Sequence, residues 1–256
     1  MRFLIVRKAD ADTEAGAPVT QPLLDAMAEY CDVLASEGRF LAGEGLKPSR
    51  EGVRVSFRDG RTPVVVDGPF AEAKELVAGF SIIEADSMEA AVDWVKGWPA
   101  EDANGNAEIE IRPVGCPGGL SNFGDPAEDD SDRPRYMVML KANERSETDW
   151  NPGPEILGRM AEANRAGHEA GYLIAGNGLS SSRHARRVRF SKGQPQVFDG
   201  PFAEIKEMVA GFWVLRVDSL DDVIAWARTY PFPDGDDARL EIRPLYTMKE
   251  LLAPLA

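Results

Sequence analysis

Two carboxylates head a repeated tetrapeptide, Asp67-Gly68-Pro69-Phe70 and Asp199-Gly200-Pro201-Phe202. At the rim of a cleft an aspartate can act as a general base or accept a hydrogen bond from a ligand, which makes Asp67 and Asp199 the catalytic candidates. A plain turn explains the same residues: Asp accepts from amides ahead of it, Gly tolerates positive φ, Pro fixes φ and Phe anchors the turn in a core. Just downstream, Glu72, Lys74 and Glu75 recur as Glu204, Lys206 and Glu207. Carboxylates three apart on a helical turn share a face and can raise one another's pKa. A solvated face of weak ion pairs is the other reading. Arg112 and Arg243 carry a planar fork suited to clamping a ligand carboxylate or phosphate, or to pairing with Asp67 or Asp199. Together with Lys74, Lys206 and the aligned pair Glu44 and Asn177, they form the candidate ligand-binding set. Glu44 faces Asn177 in the alignment, so either Glu44 is structural or only one of two sites works.

Those residues recur because the chain is written twice. Residues 67–80 and 199–212 agree at twelve of fourteen positions. The match extends outward through Arg2-Phe3-Leu4-Ile5-Val6 with Arg135-Tyr136-Met137-Val138-Met139, through 38–46 with 171–179, and through Glu110-Ile111-Arg112-Pro113 with Glu241-Ile242-Arg243-Pro244. Self-similarity at this spacing marks repeated structural units. Repeat one spans 1–114 and repeat two 135–245, joined by a Gly/Pro/Asp-rich linker at 115–134 and followed by a tail at 246–256.

Each repeat predicts the element order β-α-β-β-(β)-β-α-β. Leu23, Met27, Tyr30 and Leu34 share one helical face, and Val53, Val55 and Phe57 alternate with Arg54 and Ser56 as in a strand. Asp59-Gly60 and Lys192-Gly193 suit hairpin turns, and Ser87 and Ser219 suit helix N-caps. Two helices on one face of an antiparallel sheet is the ferredoxin-like α+β arrangement. Its bare sheet face needs a cover, and the second copy supplies one, so the duplication reads as a fused dimer.

Of 256 residues, 29 are Lys or Arg and 43 are Asp or Glu, a net charge of −14. That excess argues against nucleic acid and against anionic membranes. It is uneven: repeat one holds 12 basic and 21 acidic residues, whereas 135–256 holds 16 and 17. Arg183-His184-Ala185-Arg186-Arg187-Val188-Arg189 is the one basic run, and charge complementarity between the repeats explains it most simply. On a strand it would place Arg187 and Arg189 on one face and His184 and Arg186 on the other. Only Cys31, Cys116, His168 and His184 represent cysteine and histidine, so no disulfide framework, metal site or cofactor is expected, and a reducing cytoplasm is the simplest setting. His168, at a helix end, and Trp94 and Trp226, at helical spacing, fit structural roles.

The DGPFAE-KE blocks, with LAGEGL at 41–46, the Gly-Phe pairs at 79–80 and 211–212, and EIRP at 110–113 and 241–244, resemble the YCII-related, or DGPF-domain, family. The resemblance covers both repeats. It implies a dimeric α+β barrel, here an intramolecular pseudo-dimer of two tandem ferredoxin-like domains. It suggests a small polar or aromatic ligand in a cleft of each repeat, with lyase-like acid–base chemistry as one possibility. The alternative it implies is a non-catalytic accessory module tied to an extracytoplasmic-function sigma factor. The lyase branch uses a His-Asp pair with the histidine early in the first helix, and neither repeat has one there.

Overall fold

The computed structural model describes residues 1–57, 62–70, 75–115, 133–234 and 237–253. The Asp59-Gly60 turn, Glu72, Lys74, Cys116 and linker residues 116–132 lie outside them. Repeat one supplies β1 (Arg2–Lys8), α1 (Ala11–Ala15), α2 (Gln21–Ala35), β2 (Phe40–Gly45), β3 (Val53–Ser56), β4 (Val64–Asp67), β5 (Val77–Glu84), α3 (Met88–Val95) and β6 (Glu108–Val114). Repeat two supplies β7 (Arg135–Lys141), α4 (Pro154–Glu169), β8 (Leu173–Gly178), β9 (Arg186–Ser191), β10 (Gln194–Asp199), β11 (Val209–Arg216), α5 (Leu220–Ala227) and β12 (Arg239–Pro244), and the tail adds α6 (Met248–Leu252). Local signals act as expected. Ser87 and Ser219 accept the N3 amides of α3 and α5, and Lys192 and Gly193 both take positive φ at the β9–β10 turn. No helix among the described residues is long and apolar enough to cross a membrane.

The strands form two antiparallel sheets with matching orders, β10-β9-β6-β1-β5-β2 and β4-β3-β12-β7-β11-β8. Neither sheet belongs to one repeat. The β3–β4 hairpin of repeat one joins repeat two through the β3–β12 ladder, and the β9–β10 hairpin of repeat two joins repeat one through β9–β6. Hydrophobic side chains follow the exchange. Val53 and Val55 belong to the core under α4 and α5, while Val188 and Phe190 belong to the core under α2 and α3. A third cluster, including Leu4, Phe80 and Ile82 with Met139, Phe212 and Val214, joins side chains of both sheets. A lone two-stranded hairpin is marginal in water, so each hairpin depends on the other repeat's sheet.

Charged side chains seal each exchange. On one side, Lys8 bonds Glu75 at 2.8 Å and Glu110 at 3.2 Å, and Arg112 reaches Glu110 at 3.1 Å. Arg187, from the other repeat, reaches Glu75 and Glu110 at 2.8 Å each, and Glu147 stands 4.0 Å from Arg112. The second cluster repeats the plan. Arg243 and Arg54 meet Glu241 at 3.2 and 3.0 Å, Lys141 lies 3.6 Å from the same carboxylate, Arg54 bonds Glu207 at 2.8 Å, and Arg243 lies 3.3 Å from Glu14. Three cations thus meet three anions in the second cluster, and in the first Arg187 also lies 3.8 Å from Glu108 and Glu204. Burial alone would push the Glu110 and Glu241 carboxyls up. Lys8, Arg112 and Arg187 outweigh it at Glu110, and Lys141, Arg243 and Arg54 at Glu241, holding both below the ordinary carboxylate range.

Two stability predictions follow from this arrangement. A carboxylate whose pKa is lower folded than unfolded contributes fully above the unfolded pKa and loses that contribution as pH falls toward the folded one. The urea midpoint of the wild type should therefore stay level at neutral pH and fall below roughly pH 5. Glu110→Gln with Glu241→Gln should make that acid-side fall shallower and cost about 3–5 kcal/mol per cluster at pH 7, because buried guanidiniums lose their partners. Separately, a Cβ at Gly68 or Gly200 would collide with the carbonyl oxygen of Ser49 or Ser182, whereas one at Gly158 in α4 meets open space. Gly68→Ala and Gly200→Ala should each lose about 1–3 kcal/mol, and Gly158→Ala should gain about 0.4–1 kcal/mol, all read from chemical denaturation.

Candidate functional site

The Asp-Gly-Pro-Phe segments lie where the chain leaves the exchanged hairpin and returns to its own sheet: β4 sits in one sheet and β5 in the other. Phe70 and Phe202 donate their backbone N–H to Ser49 Oγ and Ser182 Oγ at 3.2 Å. Their rings lie 4.3 and 4.1 Å from the guanidinium carbons of Arg54 and Arg187. Asp67 is exposed at the end of edge strand β4. Asp199 is exposed at the matching end of β10 and pairs with Arg186 at 2.8 Å. Arg112 and Arg243 are 1% and 0% exposed and belong to the ionic clusters, bonding also the carbonyls of Ser180 and Lys47. The structure therefore does not bring Asp67 to Arg112 or Asp199 to Arg243. Those arginines tie the repeats together.

The other candidates scatter. Glu44 forms a bidentate pair with Arg135 of the other repeat. Lys206 is exposed on a single 3-10 turn, Ile205–Glu207, beside an open groove with Glu204, Glu207 and Arg239. Lys74 lies outside the described residues. His168 contacts the Leu173 carbonyl at 3.3 Å. Within the basic run, Arg187 and Arg189 meet Glu110 and Glu108. His184 lies on the 3-10 turn Ser182–His184, not on a strand face with Arg186, because the backbone turns there before β9 begins.

Among the described candidates, Asn177 lines a half-open cavity. A cavity of about 270 Å³ opens between α4, β8, β11 and the loop preceding α4, with Asp149, Trp150, Asn164, Asn177, Ser181 and Trp213 among its walls. Asn164 is 3% exposed, and its Oδ1 accepts from the Tyr230 hydroxyl at 2.7 Å and from Trp213 Nε1 at 3.3 Å. Trp213 Nε1 also donates to the Tyr230 oxygen at 3.0 Å. Asp149 takes left-handed backbone, with φ of 56°, which Asp tolerates better than bulkier residues. Hydrogen bonds from Ser181 and His184 hold its carboxyl below its ordinary pKa.

Part of this wall differs between the repeats, while Leu157, Met160 and Asp234 match Leu24, Met27 and Asp102. Asp149, Trp150, Asn164, Ser181 and Trp213 align with Gly16, Ala17, Cys31, Pro48 and Ser81. In repeat one Tyr30 stacks on Trp94 at 4.4 Å, and burial, with Asp32 adjacent, raises the Cys31 thiol to about 11. Reading for shared residues passes over the cavity. Unlike pairs such as Asp149 with Gly16 and Trp213 with Ser81 mark it only in part, since Leu157 and Met160 match Leu24 and Met27. Among the described residues no three His, Cys, Asp or Glu side chains group as metal ligands would.

Comparison with known proteins agrees with the duplication. A stretch of 116 residues, 44% of this chain, is 30% identical to an uncharacterised protein of Rhizobium meliloti (strain 1021) and covers 94% of it. Among solved structures, a mutant chlorite dismutase from Candidatus Nitrospira defluvii, in complex with cyanide, aligns with 99% of this chain and 93% of its own at 9% identity and a TM-score of 0.40. The YCII-related domain matches residues 1–115 and again 135–249, so this chain belongs to the YCII-related family and carries its domain twice.

Proposed function

We propose that the protein binds a small polar molecule in the cavity of its second repeat, while the first repeat serves as the structural partner of an intramolecular α+β barrel. The observation that carries this reading is the cavity itself. It is a half-open pocket of about 270 Å³, with an apolar wall of Leu157, Met160 and Trp213 and a few polar groups on Asn164, Asn177 and Ser181. That composition suits recognition of a compact ring-bearing ligand, with the amides fixing its orientation. The repeated block supports it less, since its aspartates are exposed and its phenylalanines brace the ionic clusters.

A thermal-shift screen of fragment-sized polar and aromatic compounds tests the proposal. A compound at a hundred times its Kd should stabilise the folded chain by about 2.7 kcal/mol, roughly 5 °C for a chain of this size. Leu157→Trp, which fills the cavity, should abolish the shift, and Asp67→Asn with Asp199→Asn should leave it unchanged. Shifts that survive Leu157→Trp, or vanish with the aspartate variants, would place binding elsewhere.

A further inference from the structure

Repeat one shows what the cavity region holds when it is filled from within. The Arg7 guanidinium there is 8% exposed and grips Asp102 with two bonds, Nε to Oδ2 at 2.9 Å and a terminal nitrogen to Oδ1 at 2.7 Å. It also pairs with Asp10 at 2.6 Å, and Trp98 Nε1 donates to Asp102 at 2.8 Å. In repeat two the aligned positions read differently. Arg7 becomes Leu140, Asp10 becomes Asn143, Trp98 becomes Tyr230, and Asp102 alone is kept, as Asp234. Leu140 and Asp234 both line the cavity. Asp234 has thus lost the aligned arginine, and the Tyr230 hydroxyl that replaces the indole N–H bonds Asn164 instead. Asn143 accepts from the backbone N–H of Ser146 at 2.9 Å, as Asp10 accepts from Thr13, but carries no charge for a cation.

The rest of the wall has the same electrical character. Its charged groups are Asp149 and Asp234, its aromatic groups are Trp150 and Trp213, and no lysine, arginine or histidine lines it among the described residues. The cations near Asp149, Arg183 and His184, have half-exposed side chains and do not line the cavity. Arg145 lies over the Trp150 ring at 4.7 Å, which shows that this indole accepts a guanidinium. Carboxylates and indole faces without a lining cation attract positive ligands and repel anions.

We infer that the cavity of repeat two takes a small organic cation of the guanidinium, amidinium or ammonium class, seated against Asp234 where repeat one seats the side chain of Arg7. This rests on the small-molecule reading of the cavity and narrows it by charge. It also reverses the expectation that arginines would clamp an anionic ligand: Arg112 and Arg243 are consumed in the ionic clusters.

Three near-isosteric probes separate the two levels of the argument. Benzamidine, benzamide and benzoate are titrated into the full chain by calorimetry at pH 7. Benzamidine should bind at least about tenfold more tightly than benzamide, the order expected of a charge-assisted hydrogen bond, and benzoate should not bind. Asp234→Asn should erase that preference. Leu140→Arg should supply the cation internally and abolish benzamidine binding while the far-ultraviolet spectrum stays native, and should Leu140→Arg fail to fold, Asp234→Asn decides alone. Binding of benzamide or benzoate as tight as benzamidine, blocked by Leu157→Trp, would overturn the charge assignment and leave the cavity reading standing, as would a benzamidine preference that survives Asp234→Asn. Failure of all three probes to bind would overturn both.

Discussion

The exchange of hairpins between the repeats is the constraint on which the rest of this structure depends. Each sheet completes itself with strands from the other copy, and the junction is sealed by an ionic cluster built around a buried glutamate and arginine, Glu110 with Arg112 or Glu241 with Arg243. Such groups are expensive to bury and stable only when every partner is present. Both clusters draw Glu and Arg side chains from both repeats, so neither repeat can satisfy its own charges. The nonpolar cores tie the halves together less selectively, since hydrophobic contact tolerates substitution and directionless packing.

That constraint explains the distribution of likeness along the chain. The Asp-Gly-Pro-Phe block recurs because it performs three tasks at one crossover. Its glycine lets the backbone pass against the Ser49 or Ser182 carbonyl, its phenylalanine lies over the arginine of the exchanged strand, and Glu75 or Glu207 follows into an ionic cluster. The EIRP blocks recur for the same reason, with Glu110 and Arg112 answered by Glu241 and Arg243. Arg112, Arg243, Glu75 and Glu207, whose chemistry also suits a ligand, are the residues of these blocks that the junction uses.

Much of the fold was legible in the sequence. The periodicity of Leu23, Met27, Tyr30 and Leu34 marked the helix found at 21–35, Ser87 and Ser219 marked helix starts, and the repeat carried the two-unit plan with a mixed α+β fold. The exchange was not legible. Val53-Arg54-Val55-Ser56 reads as a strand whichever sheet it joins, since alternation reports a buried face and not the identity of the neighbour. The short helix Ala11–Ala15 escaped because it has no buried face and rests on its Asp10–Thr13 capping box. The site was less legible still. Arg112 and Arg243 were recognised as bidentate groups, but pairing within the chain and pairing with a ligand use the same fork, and sequence does not show which partner is nearer.

Duplication supplies what shared motifs cannot, an internal reference for each position. A residue bound to the opposite copy is coupled to its partner, as Arg54 and Arg187 are, and both halves keep it, although Glu44, bound to Arg135, is answered by Asn177. A residue facing a repeat's own interior is free of that coupling, and at some of these positions the copies have parted: Asp149 against Gly16, Trp213 against Ser81, Leu140 against Arg7. In repeat one the interior is internally neutralised, with Arg7 seated on Asp102. In repeat two the aspartate remains and the arginine does not, beside a cavity walled by indoles and amides. The differences between the halves therefore carry information that their similarities, many of them consumed by the fold they build together, do not.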